Sequence, residues 1–194
     1  MNPFRHNGFA SRKRIGSLLV FCFYSVSGFI PSASAKVYLS TEAFLQQVRT
    51  SQGCEPQRQT FYLSAEQKAK VARELGRSDA RIGGVWVRYE WACPGKNKKW
   101  VYFDSHRVRT QAEALGFVVR QDQTVEHLEV LSFDEPEDYL PKERWFATLR
   151  GKRLSPALEL QREIPMITGA TLSARAAVES SRKILALHGV LQSQ

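Results

Sequence analysis

What this chain lacks narrows it first. Only three of its 194 residues are cysteine, and none stands in a CxxCH pair, so covalent c-type haem is excluded. His106, His127 and His188 are scattered, without the short spacings that gather ligands round a metal, and no metal site is expected. No internal repeat or low-complexity segment is present, and no general acid–base pair or nucleophile stands out. A bilayer span needs about 20 apolar residues. The uncharged run Ile15 to Ile30 has 16 and is broken by serines and a glycine.

That run belongs to a leader. Arg5, Arg12, Lys13 and Arg14 precede it, and Pro31-Ser32-Ala33-Ser34-Ala35 follows with a small-x-small ending, the three-part layout of a secretory signal peptide. The sequence therefore predicts cleavage after Ala35 and a periplasmic mature protein, with an uncleaved membrane anchor as the alternative. Removing four basic and no acidic residues leaves 24 basic against 19 acidic, so the formal charge falls from +9 to +5. An exported chain with so modest an excess has little reason to meet nucleic acid, whatever its isoelectric point. Cys22 leaves with the leader; Cys54 and Cys93 remain as a pair, and in an oxidising compartment a pair is expected to form a disulfide.

With 43% hydrophobic and 24% charged residues, residues 36–194 read as one globular domain. Val37 to Leu39 looks like a short strand, and Ser40 or Thr41 caps a helix to about Thr50. Gln57 to Leu63 reads as a strand. Ser64-Ala65-Glu66-Gln67 is a capping box opening a helix to Leu75, stopped by Gly76. From Gly84 the period becomes two: Val85 to Trp91 and Lys99 to Asp104 form one hairpin, Gly116 to Arg120 and Val125 to Phe133 a second. On the last strand Glu126, Leu128, Val130 and Ser132 are expected to face the core. The acidic segment Asp134 to Pro141, with two prolines, reads as an ordered loop, and Pro141 as the first turn of a short helix through Arg150, ended by Gly151. A final helix begins near Leu172 and ends before Gly189, with Ala174, Ala177, Val178, Ser181, Ile184 and Leu185 on its apolar face and Arg175, Glu179, Arg182 and Lys183 opposite. The fold class expected is α+β, an antiparallel sheet with flanking helices.

The chemistry concentrates before that last helix, in PMITGATLSARA, Pro165 to Ala176. A helix needs one capping hydroxyl; this stretch offers Thr168 and Thr171, with Gly169 and Ala170 between them. Unpaired amides and about half a positive charge at a helix start make an anion cradle, to which Arg175, one turn in, adds a charge-assisted contact. His106, Arg107 and Arg109 form a basic cluster after a strand, expected to be solvated surface, with a phosphate or a redox partner as the alternative.

Ile167 to Ser173, ITGATLS, is similar to the S/T-G-A-T/S-x-S/T signature of the FMN-binding domain family, which includes the flavin-carrying subunits of the sodium-pumping NADH:quinone oxidoreductase and the Rnf complex. The resemblance extends over Val125 to Phe133, the Glu135-Pro136 pair, the Trp145 helix, Gly151 and the arginine-bearing last helix, or roughly Gly84 to Leu187. It implies FMN as cofactor, carried on Thr171 through a phosphoester installed by a flavin transferase, with Thr168 and Ser173 next in line as acceptors. It implies a cofactor site made of Thr168, Gly169, Ala170, Thr171, Leu172, Ser173, Arg175 and Glu135, with Tyr139 and Trp145 as candidates for the wall beside the isoalloxazine ring. Where the family usually has an aspartate, six residues before the acceptor, this chain has Pro165, with Glu163 two positions further back.

The resulting expectation is an exported flavoprotein relaying electrons between a membrane donor and an extracytoplasmic acceptor such as a cytochrome. Two alternatives stand beside it: a flavin-dependent reductase of a small substrate, and a non-redox module for anion binding or partner docking.

Overall fold

A computed structural model describes residues 36–76 and 82–193; the expected signal peptide lies outside the described residues. Six strands form one antiparallel sheet in the order β1-β6-β5-β4-β3-β2: β1 (Lys36–Val37), β2 (Gln57–Tyr62), β3 (Val85–Trp91), β4 (Lys99–Arg107), β5 (Ala112–Arg120) and β6 (Val125–Phe133). From β2 to β6 the sheet runs in sequence order, and β1 closes the far edge against β6. Four helices join it: α1 (Thr41–Gln52), α2 (Ala65–Glu74), the short α3 (Glu143–Phe146) and α4 (Thr171–Gln192). The expected α+β class, antiparallel sheet with flanking helices, is the one observed.

Local sequence explains the helix starts. Ser40 caps α1 by accepting from the Ala43 amide at 3.1 Å, and Gly53, at φ +76°, ends it in a left-handed turn. Before α2 the box is complete: Ser64 Oγ accepts from the Gln67 amide, and Gln67 Oε1 accepts from the Ser64 amide. Below α1, Cys54 is bonded to Cys93 with their Cα atoms 5.9 Å apart, which ties the end of the helix to the β3–β4 turn. Lys96 of that turn donates to the carbonyls of Ser51 and Gln52, the unpaired acceptors at the helix end.

Both faces of the sheet are covered, and this corrects the reading of β6. One face carries the larger core, where Trp100, Tyr102, Leu115 and Phe117 meet Ala174, Ala177, Ile184 and Leu187 of α4. The other carries a smaller core in which Phe44 and Val48 of α1 cover Trp91, Val101, Val118 and Leu131. Leu131, assigned by alternation to the outside, is therefore buried under α1, and His127 stacks on Phe44 at 6.0 Å. A register shift at Val118/Val119 sets Val125 opposite Val119, so Val125 enters the larger core with Leu128.

Four further boundaries differ from expectation. β4 and β5 extend to Arg107 and start at Ala112, so the hairpin between them is tight. α3 starts at Glu143 and passes into a 3-10 turn, Ala147–Leu149. α4 continues through Gly189 to Gln192 because Val190 and Leu191 still pack into the core. Arg182 was placed on the outer face of that helix. It instead donates to the carbonyls of Ser155 and Leu158, in the irregular chain between α3 and α4, and to that of Leu75, an acceptor left unpaired at the end of α2.

Candidate functional site

α4 starts where three connections meet: the β4–β5 turn, the loop after β6, and the turn ending at Ala170. Between them is a cleft of 290 Å³ lined by Val108 and Arg109, by Glu135 and Tyr139, and by Gly169 through Ser173. Of the residues expected to form a cofactor site, Glu135, Tyr139, Gly169, Ala170, Thr171, Leu172 and Ser173 are brought together. Thr168 and Arg175 are exposed and do not line the cleft.

The helix start has an unusual local form. The residue in the cap position is Ala170, at φ −116° and ψ 28°, and no side chain caps the helix. Neither threonine caps the helix. Thr171 is the first helical residue, and its hydroxyl donates to the Ile167 carbonyl at 2.9 Å. The first intrahelical amide bond is that of Ala174 to the Ala170 carbonyl, at 2.9 Å. The amides before it are the unpaired donors of a helix N-terminus. Gly169 at φ +86° makes the turn, in a conformation that side chains resist, with nothing within 4 Å of where a Cβ would stand.

The cleft walls are held by polar contacts from a distance. Ser173 Oγ donates to the Tyr139 carbonyl at 2.5 Å, locking the first turn of α4 to the 3-10 turn Glu137–Tyr139. Tyr139 and Leu172 remain 39% and 48% exposed, so the cleft has an apolar rim open to solvent. Glu135 is buried, and its Oε1 accepts from the Thr110 amide (2.6 Å), the Gln111 amide (2.8 Å) and the Thr110 hydroxyl (3.1 Å). The Thr110 and Gln111 amides hold its carboxyl below the usual glutamate range.

Trp145 lies elsewhere. It is 5% exposed within the core, edge-on to Phe146, and its indole nitrogen donates to the Pro165 carbonyl at 2.8 Å. It supports the segment leading to the TGAT turn and does not reach the cleft. Glu163, two residues before Pro165, is engaged by the Ser155 hydroxyl at 3.0 Å and Lys152 at 3.4 Å.

The basic cluster at the end of β4 divides into three fates. Arg107 is exposed away from the cleft, Arg109 is exposed and lines it, and His106 is drawn inward between two carboxylates. Its Nε2 is 2.8 Å from Glu113 and its Nδ1 3.2 Å from Asp104. Asp104 also accepts from Ser180 at 2.5 Å and pairs with Lys183 at 2.6 Å, so α4 is joined to the sheet by a buried polar network just beneath the β4–β5 turn. Burial opposes charge on His106, but its bonds to Asp104 and Glu113 prevail and push it up to about 9. Burial likewise opposes charge on Asp104, which His106, Lys183 and Ser180 together hold below the usual range. Glu113, with no solvent exposure, is raised by burial against the pull of His106.

A sequence signal for Arg109 existed in its place two residues beyond a strand end, but nothing local distinguishes it from Arg107. Among the described residues no group of His, Cys, Asp or Glu could hold a metal ion, and no helix is long and apolar enough to cross a membrane. No family model, curated protein or solved structure matches the chain.

Proposed function

We propose that this protein is an FMN-carrying electron-transfer flavoprotein with an FMN-binding-domain-like fold, its cofactor attached by a phosphoester to Thr171. The observation that carries the reading is the convergence of the TGAT turn, Tyr139 and Arg109 on one cleft at an uncapped helix start.

The residues present fit the group. Unpaired amides and the positive end of a long helix suit a phosphate, and Thr171 places a half-buried hydroxyl among the cleft-lining residues. Attachment forms a bond from Thr171 Oγ1 to the FMN phosphorus and breaks the phosphoanhydride of a flavin dinucleotide donor. A nucleoside monophosphate and the hydroxyl proton leave, so the Thr171 bond to the Ile167 carbonyl is given up. Tyr139 and Leu172 offer apolar surface to the ring. Ligand sites usually span about 300–1,000 Å³, and at 290 Å³ this cleft holds only part of a molecule as large as FMN. The remainder would stand at the open rim, where a redox partner has access. FMN would supply the electron chemistry, and the chain's own residues bind the phosphate, orient the ring and set its exposure. Export to the periplasm, a flavin transferase for maturation, a membrane donor and a cytochrome-like acceptor complete the proposal.

The test is a denaturing gel viewed under ultraviolet light, with wild type beside Thr171→Ala, each co-expressed with a flavin transferase. Fluorescence in wild type and none in the mutant is the expected outcome. A fluorescent mutant moves attachment to Thr168 or Ser173. A colourless wild type overturns the flavin reading in favour of an anion-binding module.

A further inference from the structure

We infer that Arg109 is the side chain that recognises the phosphate in this cleft, and that Glu135 is a positioning residue that fixes the Arg109 turn before a ligand arrives. The inference rests on the flavin reading and assigns the roles within that site differently from the sequence motif, which points to Arg175 as the basic partner and to Glu135 as a cofactor contact.

Two observations separate the arginines. Arg109 lines the cleft together with Thr171, whereas Arg175 does not. Among the described residues Arg109 also has no ion pair, so its guanidinium is not already neutralised by a carboxylate. A planar fork of donors suits phosphate oxygens, and Arg109 belongs to the β4–β5 turn, across the cleft lining from the first residues of α4. The phosphate is thereby held from two sides, by fixed partial charges and by one full charge.

Glu135 is too committed to serve as a ligand contact through Oε1. That one oxygen gathers the Thr110 amide, the Gln111 amide and the Thr110 hydroxyl, and Val108 closes the same turn by donating to the Gln111 carbonyl at 3.0 Å. Beneath the turn, His106 and Glu113 face each other as a cross-strand pair. The Val108–Gln111 segment is therefore pinned from the loop after β6 and from its own strands. Without the Glu135 carboxylate its amides lose their common acceptor, and Arg109 loses its fixed approach to the cleft. Holding the arginine's backbone in place in advance removes ordering entropy from the binding step.

The experiment measures FMN and riboflavin affinity by fluorescence quenching. It uses the apo protein, made without a flavin transferase, as wild type, Arg109→Met, Arg175→Met, Glu135→Leu, Glu135→Gln and the Arg109→Met/Glu135→Leu double variant. The two flavins differ only by the phosphate. Wild type should prefer FMN. Arg109→Met should lose roughly 10- to 100-fold in FMN affinity, the scale of a charged hydrogen bond, with riboflavin affinity unchanged and Arg175→Met like wild type. Glu135→Leu removes the shared acceptor, should lower the preference for FMN, and should add nothing to Arg109→Met. Glu135→Gln, whose Oε1 still accepts from the same amides, should keep most of that preference. An undiminished preference in Arg109→Met overturns the assignment of Arg109 while leaving the flavin reading intact. Additive losses in the double variant overturn the positioning role of Glu135. A wild type that binds neither flavin overturns this inference, while the flavin reading is decided separately by the denaturing gel of the co-expressed protein.

Discussion

The indole nitrogen of Trp145 donates to the backbone carbonyl of Pro165 across 2.8 Å. Pro165 is the position at which the chain departs from the flavin signature it resembles, and a core residue from α3 holds that position through its main chain. A backbone acceptor can be met whatever the side chain, so the geometry of the approach to the TGAT turn does not require an aspartate there.

Trp145→Phe keeps an aromatic in the core and removes this bond. Stability should fall by about 1–2 kcal/mol, from a lost hydrogen bond and a smaller ring, measured as a drop in the urea unfolding midpoint. On the proposed flavin reading, in-gel fluorescence at equal protein should fall without vanishing, because Thr171 itself is untouched.

The buried network under the β4–β5 turn predicts a pH dependence. His106 is raised in the folded state from 6.5 to about 9, so its contribution is full below 6.5 and is lost as pH rises through 9. Asp104 is lowered, so its contribution is present above 3.8 and is lost as pH falls through its folded value. Glu113 is raised, so its burial weakens the fold progressively above 4.5. Wild-type stability, followed by denaturant midpoints, should decline between about pH 6.5 and 9, and His106→Gln should flatten that decline while lowering stability at pH 6.

Gly116 faces α1 so closely that a Cβ would stand 3.0 Å from the Phe44 ring. Phe44 is fully buried and the centre of the smaller core. Gly116→Val should cost about 1–3 kcal/mol through overpacking. Pairing it with Phe44→Leu should recover part of the loss, measured as a non-additive double-mutant cycle.

The Cys54–Cys93 bond closes a loop with a sequence separation of 39. Chain entropy alone assigns such a loop about 4 kcal/mol at most. The Cys54→Ser/Cys93→Ser protein should therefore show a clearly lower melting temperature. It should keep its sheet, since the β2-to-β6 pairing does not depend on the bridge.

What could be read along the chain was whatever local physics dictates. Ser64 and Gln67 form a capping box from side chains three residues apart, and the two hairpins follow from alternation and turn residues. The apolar stripe of α4 from Ala174 to Leu185 follows from helical spacing alone. Alternation failed on β6, where Leu131 and Val125 are both buried. A second helix covers the outer face, and a bulge changes which residues share a face; neither is visible in the strand's own pattern.

The site divides in the same way. The TGAT turn, Tyr139 and the paired cysteines were visible as sequence features, because each is a short pattern or a matter of composition. Only the tertiary structure decided that Trp145 serves Pro165, that Arg182 serves three carbonyls, and that of three neighbouring basic residues His106 goes inward and Arg109 lines the cleft. These outcomes depend on partners far away in sequence: Glu135 lies 25 residues from Thr110 and Ser180 lies 76 from Asp104. A side chain's hydrogen-bonding capacity is written in its residue type, but its partner is chosen by the fold, which brings together groups that the chain keeps apart.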